Sequence, residues 1–199
     1  MNYISVGPVC HTAQALKDSN LRRQAYPFDW VYSTLPMVLR CIGDRFQTFL
    51  DKSKYSYIEG GVIHATYNPM LTTDFLFEHG RRENRSIHDK SGLFSHFDPF
   101  NDEVHASLQR RSARFMTALQ DPNTCLIYRN LYFGNYDDII AFARELRAQA
   151  FPCRVVGLVW APPGLLLFQE GNLVVYGCQD AGEISGILAA AEAAMSAGS

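Results

Sequence analysis

The chain has 199 residues, is 47% hydrophobic and 13% aromatic, and carries 18 Lys+Arg against 20 Asp+Glu for a formal charge of −2. A chain of this length buries roughly 70% of its unfolded surface, so one core suffices and a single domain over residues 1–199 is the expectation. The near-balanced charge leaves no global field to recruit nucleic acid or an anionic membrane surface.

The opening Met1-Asn2-Tyr3-Ile4-Ser5-Val6-Gly7 lacks a basic start and a long apolar run, unlike a secretory signal. No stretch approaches the roughly 20 apolar residues of a membrane span, and the expected compartment is the cytoplasm. Five cysteines, Cys10, Cys41, Cys125, Cys153 and Cys178, are odd in number and widely spaced, as reduced thiols would be. There is no CxxC or HExxH, so neither a metal nor another cofactor is expected. The absence of GxGxxG and GxxxxGK[ST] argues against a nucleotide cofactor as well.

Tyr3–Val6 reads as a short strand with Ile4 and Val6 on one face, broken by Gly7-Pro8 before a helix over about His11–Asp18. A second helical region follows Ser33-Thr34, which can cap it, and carries Val38, Leu39, Ile42, Phe46 and Phe49 at helical spacing, bent at Gly43-Asp44. Tyr55–Ile58 and Val62–Tyr67 read as a hairpin about Glu59-Gly60-Gly61. Arg81–Gly92 reads as an exposed loop, and Leu93–Phe97 as a strand.

Asn101 or Asp102 can cap a helix to about Gln120, with Val104, Leu108, Phe115 and Leu119 opposite Arg110, Arg111 and Arg114. Those arginines meet Arg22 and Arg23 only if the fold brings them together, and a solvated face is the ordinary expectation. Cys125–Tyr128, Asp137–Gln149 and Arg154–Trp160 form a strand, helix and strand, a βαβ unit in the C-terminal third. Leu165–Phe168 and Leu173–Tyr176 read as a hairpin, and an Ala-rich helix covers about Ala181–Met195.

Cys10 carries the sharpest chemical signal. A thiol at a strand-to-helix turn faces the helix's unpaired N–H groups, whose partial positive charge favours thiolate and can also serve an oxyanion. A thiol nucleophile needs a base, and His11, His64, His79, His88, His96 and His105 all compete. His96, on the strand Leu93–Phe97, has the most rigid setting, and His79, at the end of Phe75–Glu78, follows it. Asn130, just after Cys125–Tyr128, can orient an imidazole, with Asn135 and Asp98 as competitors. In Tyr26-Pro27-Phe28-Asp29-Trp30 the rings read as core and Asp29 as a carboxylate that satisfies local N–H groups.

Taken in order, SVGPVC before a helix, LRRQAYPFDWVYS, GLFSHFDPF, and RRSARF before CLIYRN resemble the segments of the "putative papain-like cysteine peptidase" family. The similarity spans about residues 3–130 and is strongest over Leu21–Ser33. It implies an α+β, papain-like domain whose Cys10 helix packs on a mainly antiparallel sheet, with Cys10 matching the family's Cys and His96 its His. The chain departs from the family pattern at Val9, where Asn often stands, and at Phe97, where Asp often stands with Asp98 here one place later. Any oxyanion donors are then backbone N–H groups and Gln14 or Asn20.

The reading is a thiol-dependent hydrolase in which Cys10 attacks an amide, isopeptide or thioester carbonyl, His96 is the base, and Asn130 or Asp98 orients it. Its substrate is a peptide or another acyl or amide compound. The alternatives are an acyl- or amidotransferase on the same fold, or a non-catalytic domain that recognises a peptide or glycan.

Overall fold

A computed structural model describes residues 1–7, 10–29, 31, 33–58, 61–67, 98–130 and 136–197. Strand β1 (Asn2–Ser5) leads into α1 (Cys10–Asp18), and α2 (Leu35–Gly43) and the short α3 (Gln47–Leu50) follow. Next come the hairpin strands β2 (Tyr55–Ile58) and β3 (Gly61–His64), then α4 (Asp102–Ala118), β4 (Thr124–Asn130), α5 (Asp137–Ala148) and β5 (Arg154–Val159). The chain continues through β6 (Leu166–Glu170), β7 (Leu173–Gly177) and α6 (Ile184–Ala197).

Five strands form one sheet in the order β1-β4-β5-β7-β6, and β2-β3 is a separate two-stranded ribbon. Within the five-stranded sheet the pairs β1/β4, β4/β5 and β5/β7 are parallel and β6/β7 is antiparallel, and the β2/β3 ribbon is antiparallel too. The mixture of helices and strands expected from sequence is present, as is the βαβ unit, here β4-α5-β5. The mainly antiparallel sheet is not, and that expectation is corrected. The physical reason lies in the crossovers: β1 reaches β4 only after α1, α2 and α4, and β4 reaches β5 through α5, connections long enough to return parallel strands.

Side chains alternate between the two faces of this sheet. On one face Ile4, Val6, Leu126, Val155, Leu173 and Val175 share a core with α2, α4 and α5. On the other, Tyr3, Cys125, Ile127, Val156 and Val174 pack with α1 and α6. Near-continuous burial along β4, β5 and β7 is what a sheet covered on both faces requires. Gly157 in β5 leaves room for α5, since a Cβ there would lie 2.9 Å from Ile139 Cδ1.

The local signals read from sequence locate the remaining elements. Thr34 caps α2 by accepting the Met37 N–H at 3.4 Å, with Pro36 in the first turn where its missing N–H is harmless. The helix breaks after Gly43 because Arg45 and Phe46 take left-handed backbone angles, and that break turns the Phe46 ring into the core. Asn101 caps α4 by accepting from Glu103 and Val104 N–H at 3.0 and 3.1 Å. A capping box between Asp180 and Glu183 starts the turn that leads into α6. None of the described helices is long and apolar enough to cross a membrane.

Candidate active site at the carboxyl end of the sheet

Cys10 is the first residue of α1, three residues after Gly7 at the carboxyl end of β1. Open, largely parallel sheets bind ligands outside the carboxyl ends of their strands. Val6 N–H donates to Ile127 O at 3.0 Å and Arg129 N–H to Gly7 O at 3.5 Å, so Asn130 lies one residue beyond the partner of Gly7. The first turn of α1 and the half-buried Asn130 therefore occupy the same end of adjacent parallel strands.

The turn is held from the side by the segment that follows Tyr26-Pro27-Phe28-Asp29. Ser33 Oγ donates to Val6 O at 3.0 Å, and Gly7 adopts φ +122°, where a Cβ would fall 2.5 Å from both Ser33 O and Ser33 Oγ. Only glycine fits this close approach at such a backbone angle. Phe28 anchors the segment, with ring centroids 5.4 Å from Phe115, 5.6 Å from Phe46 and 6.2 Å from Phe49.

Asp29 is 1% exposed. Its Oδ2 accepts from Tyr26 N–H at 2.8 Å and from Arg22 Nε and Nη2 at 3.1 and 2.5 Å. Burial pushes its carboxyl above the ordinary range, opposed first by the Arg22 charge and then by the Tyr26 N–H. Arg111 stands close enough to feel both Asp29 and Arg22 and is itself half-buried, so burial lowers its guanidinium pKa. The fold thus does bring the α4 arginines to Arg22, through Arg111, around a buried carboxylate that serves the backbone as expected.

The six histidines separate by their surroundings. His64 is fully buried; its Nε2 donates to Thr48 O at 3.0 Å while Nδ1 accepts from Thr66 and Tyr67 N–H at 3.1 and 3.3 Å. This is a neutral ring committed to the backbone, and burial lowers its pKa. His105 Nε2 donates to Leu50 O at 2.8 Å, tying α4 to α3. His11 is exposed one position after Cys10. His79, His88 and His96, the strand Leu93–Phe97, the loop Arg81–Gly92, and Asn135 lie outside the described residues.

Asp98 is buried, and its Oδ1 accepts from Tyr57 hydroxyl at 2.7 Å and Phe100 N–H at 3.0 Å. That oxygen holds the start of α4 against the hairpin. Of the two side chains offered as oxyanion donors, Gln14 donates to Asp18 at 2.7 Å on the outer side of α1. Asn20 lies past Asp18, at the opposite end of a helix about 13 Å long. Neither stands at the Cys10 turn, because the helix carries them away from it.

The other four thiols are buried. Burial pushes Cys41 and Cys153 up to about 12 and raises Cys125 and Cys178 as well. No group of three His, Cys, Asp or Glu side chains among the described residues is arranged to hold a metal.

Three residues at this end of the sheet carry no motif and escaped the reading of the sequence: Ser5, Thr12 and Arg129. The available signal was a charge at an inward position of an apolar strand, Arg129 in Thr124–Asn130.

Fold and site together define a mixed α and β domain that presents a cysteine where a helix begins at the carboxyl end of a parallel strand. The chain belongs to the family described as "Putative papain-like cysteine peptidase (DUF1796)", whose model matches residues 1–150. That description supports a thiol-hydrolase reading in general terms. No curated protein matches the chain. No solved structure matches it either.

Proposed function

We propose that the chain is a thiol hydrolase that cleaves an amide, isopeptide or thioester bond through Cys10, with His96 as base and Asn130 orienting the ring. The observation that carries this reading is the position of Cys10 in the first turn of α1 at the carboxyl end of β1. There the helix dipole favours thiolate. Asn130 is preferred to Asp98 because it ends the strand beside β1, at the same end of the sheet as the first turn of α1. A mainly parallel sheet is no obstacle, since a Cys/His pair works by geometry on unrelated folds.

In the reaction the Cys10 thiol gives its proton to His96 and its sulfur adds to the carbonyl carbon, producing a tetrahedral oxyanion that backbone N–H groups can bind. Collapse breaks the bond to the amine or thiol leaving group, which takes the proton from His96. Water then gives a proton to His96 and adds to the thioester, and the Cys10 sulfur leaves with that proton. An acyl- or amidotransferase differs only in that an amine replaces this water.

The test is the pH dependence of Cys10 alkylation in the wild type, His96→Ala and His79→Ala. A depressed thiol pKa that returns toward about 8.5 only in His96→Ala supports the assignment. If His79→Ala abolishes the depression and His96→Ala does not, the base is His79. A Cys10 that alkylates with an ordinary pKa in all three moves the reading to a recognition domain for a peptide or glycan.

A further inference from the structure

Arg129 sits in β4 on the face that α1 covers, following Cys125 and Ile127 in the alternation of that strand. It is only 4% exposed, and no carboxylate of the described residues lies within 4 Å of its guanidinium. Nη2 donates to Gln179 O at 3.3 Å, while the buried Nε has no hydrogen-bond partner among the described residues. The neighbouring Cys178 does not supply the missing charge. Its thiol donates to Asp180 O at 3.2 Å and is raised by burial, so it stays neutral. Asp180 and Glu183, the acids closest in sequence, are occupied by the capping box.

Two more buried polar groups on the same face lack a partner among the described residues. Ser5 follows Tyr3 in the alternation of β1, so it too faces α1. Thr12 precedes Leu16 by one helical turn and shares its sheet-facing side. Both are fully buried, and neither Ser5 Oγ nor Thr12 Oγ1 has a hydrogen-bond partner among the described residues. Ser5 pairs in register with Ile127, so Arg129 lies two residues further toward the carboxyl end on the adjacent strand. Thr12 comes down on that end from the first turn of α1. A guanidinium whose Nε has no partner among the described residues, two hydroxyls in the same state and the positive end of a nine-residue helix lie on one face at this end of the sheet. Every one of these groups is a donor or can be one, and a lone buried cation is strongly disfavoured.

We propose that Ser5, Thr12, Arg129 and the amino end of α1 form a binding site for a single oxyanion, the carboxylate or phosphate group of a small ligand. The guanidinium supplies the counter-charge and a fixed fork of donors, which suits either group. The two hydroxyls donate to the remaining oxygens, and the first-turn N–H groups of α1 complete the set. The site shares the first turn of α1 with Cys10, but anion binding there does not require that Cys10 react.

The experiment follows thermal unfolding of the full chain in a low-salt, phosphate-free buffer, titrated separately with inorganic phosphate and with acetate. The wild type is expected to rise in Tm along a saturating curve, by about 5–10 °C at an anion concentration a hundredfold above Kd. Arg129→Met should show no such rise and, without anion, should melt no lower than the wild type, because an unpaired charge has been removed. Thr12→Val, which keeps the shape and loses the hydroxyl, should weaken the anion about tenfold. A rise with phosphate alone identifies a phosphoryl ligand, and a rise with acetate alone a carboxylate. The proposal is overturned if neither anion moves the wild type, or if both move Arg129→Met equally. Should Arg129→Met not fold, a Thr12→Val curve superimposable on the wild type overturns it instead.

Discussion

Replacing Asp29 with Asn removes a charge from a carboxylate that is 1% exposed and leaves its shape intact. Oδ2 accepts three donors, Tyr26 N–H and two from the Arg22 fork, and an amide oxygen can retain the Tyr26 bond while holding the guanidinium less well. Deleting one partner of a fully buried pair costs about 3–5 kcal/mol. Here Arg22 is 12% exposed and can take water, and Asn keeps an acceptor, so a loss of about 2 kcal/mol is the better figure. In a chain of this length that lowers Tm by roughly 4–8 °C. Denaturant unfolding with an unchanged m-value would report the same loss as an energy. Arg22→Met should cost a similar amount, and the double variant less than the sum, because the two residues share one interaction. An Asp29→Asn protein that melts with the wild type refutes the argument from burial. One that is stable and folded but has lost Cys10 reactivity places Asp29 in the chemistry.

Gly7→Ala puts a Cβ 2.5 Å from Ser33 O and Oγ at φ +122°, and should cost about 3 kcal/mol in chemical denaturation; a neutral outcome would show that the turn before Cys10 is not braced by Ser33. Phe28→Ala, at the centre of the ring cluster with Phe46, Phe49 and Phe115, should cost about 3–5 kcal/mol. Burial lowers the His64 pKa, so the unfolded chain binds its proton more readily. Stability is complete above the unfolded value of about 6.5 and is lost as pH falls through it toward the folded one. A plot of stability against pH from 8 to 5 should therefore be flatter for His64→Gln than for the wild type, and parallel curves would contradict that account. Cys41, Cys125, Cys153 and Cys178 should react with a disulfide reagent only as the protein unfolds, which a time course with and without denaturant measures.

Local features were legible in the sequence because local chemistry fixes them. Ser33-Thr34 announces the start of α2, Asn101-Asp102 that of α4, Gly43-Asp44 the break before Phe46, and Leu165–Phe168 with Leu173–Tyr176 the β6-β7 hairpin. The Asp29 role was legible too, since a carboxylate among Tyr26, Phe28 and Trp30 must find donors nearby. Strand pairing was not. β1 and β4 meet across more than a hundred residues, and nothing in Asn2–Ser5 says whether its neighbour runs parallel. The arginines show the same limit: Arg111 looks like part of a solvated stripe until α4 packs beside Arg22 and Asp29. Ser5, Thr12 and Arg129 are ordinary residues in sequence and become notable only when the fold buries all three and leaves Ser5 Oγ, Thr12 Oγ1 and Arg129 Nε without a hydrogen-bond partner among the described residues.

The central claim is that Cys10 is the reactive thiol of this protein, and alkylation by iodoacetamide at about pH 6 with mass mapping of the modified cysteine tests it most directly. An unperturbed thiol is almost entirely protonated at that pH, and the four buried thiols are held higher still, so modification should fall on Cys10 first and should slow sharply in His96→Ala. Uniform slow labelling of all five cysteines, or a different leading site, contradicts the claim.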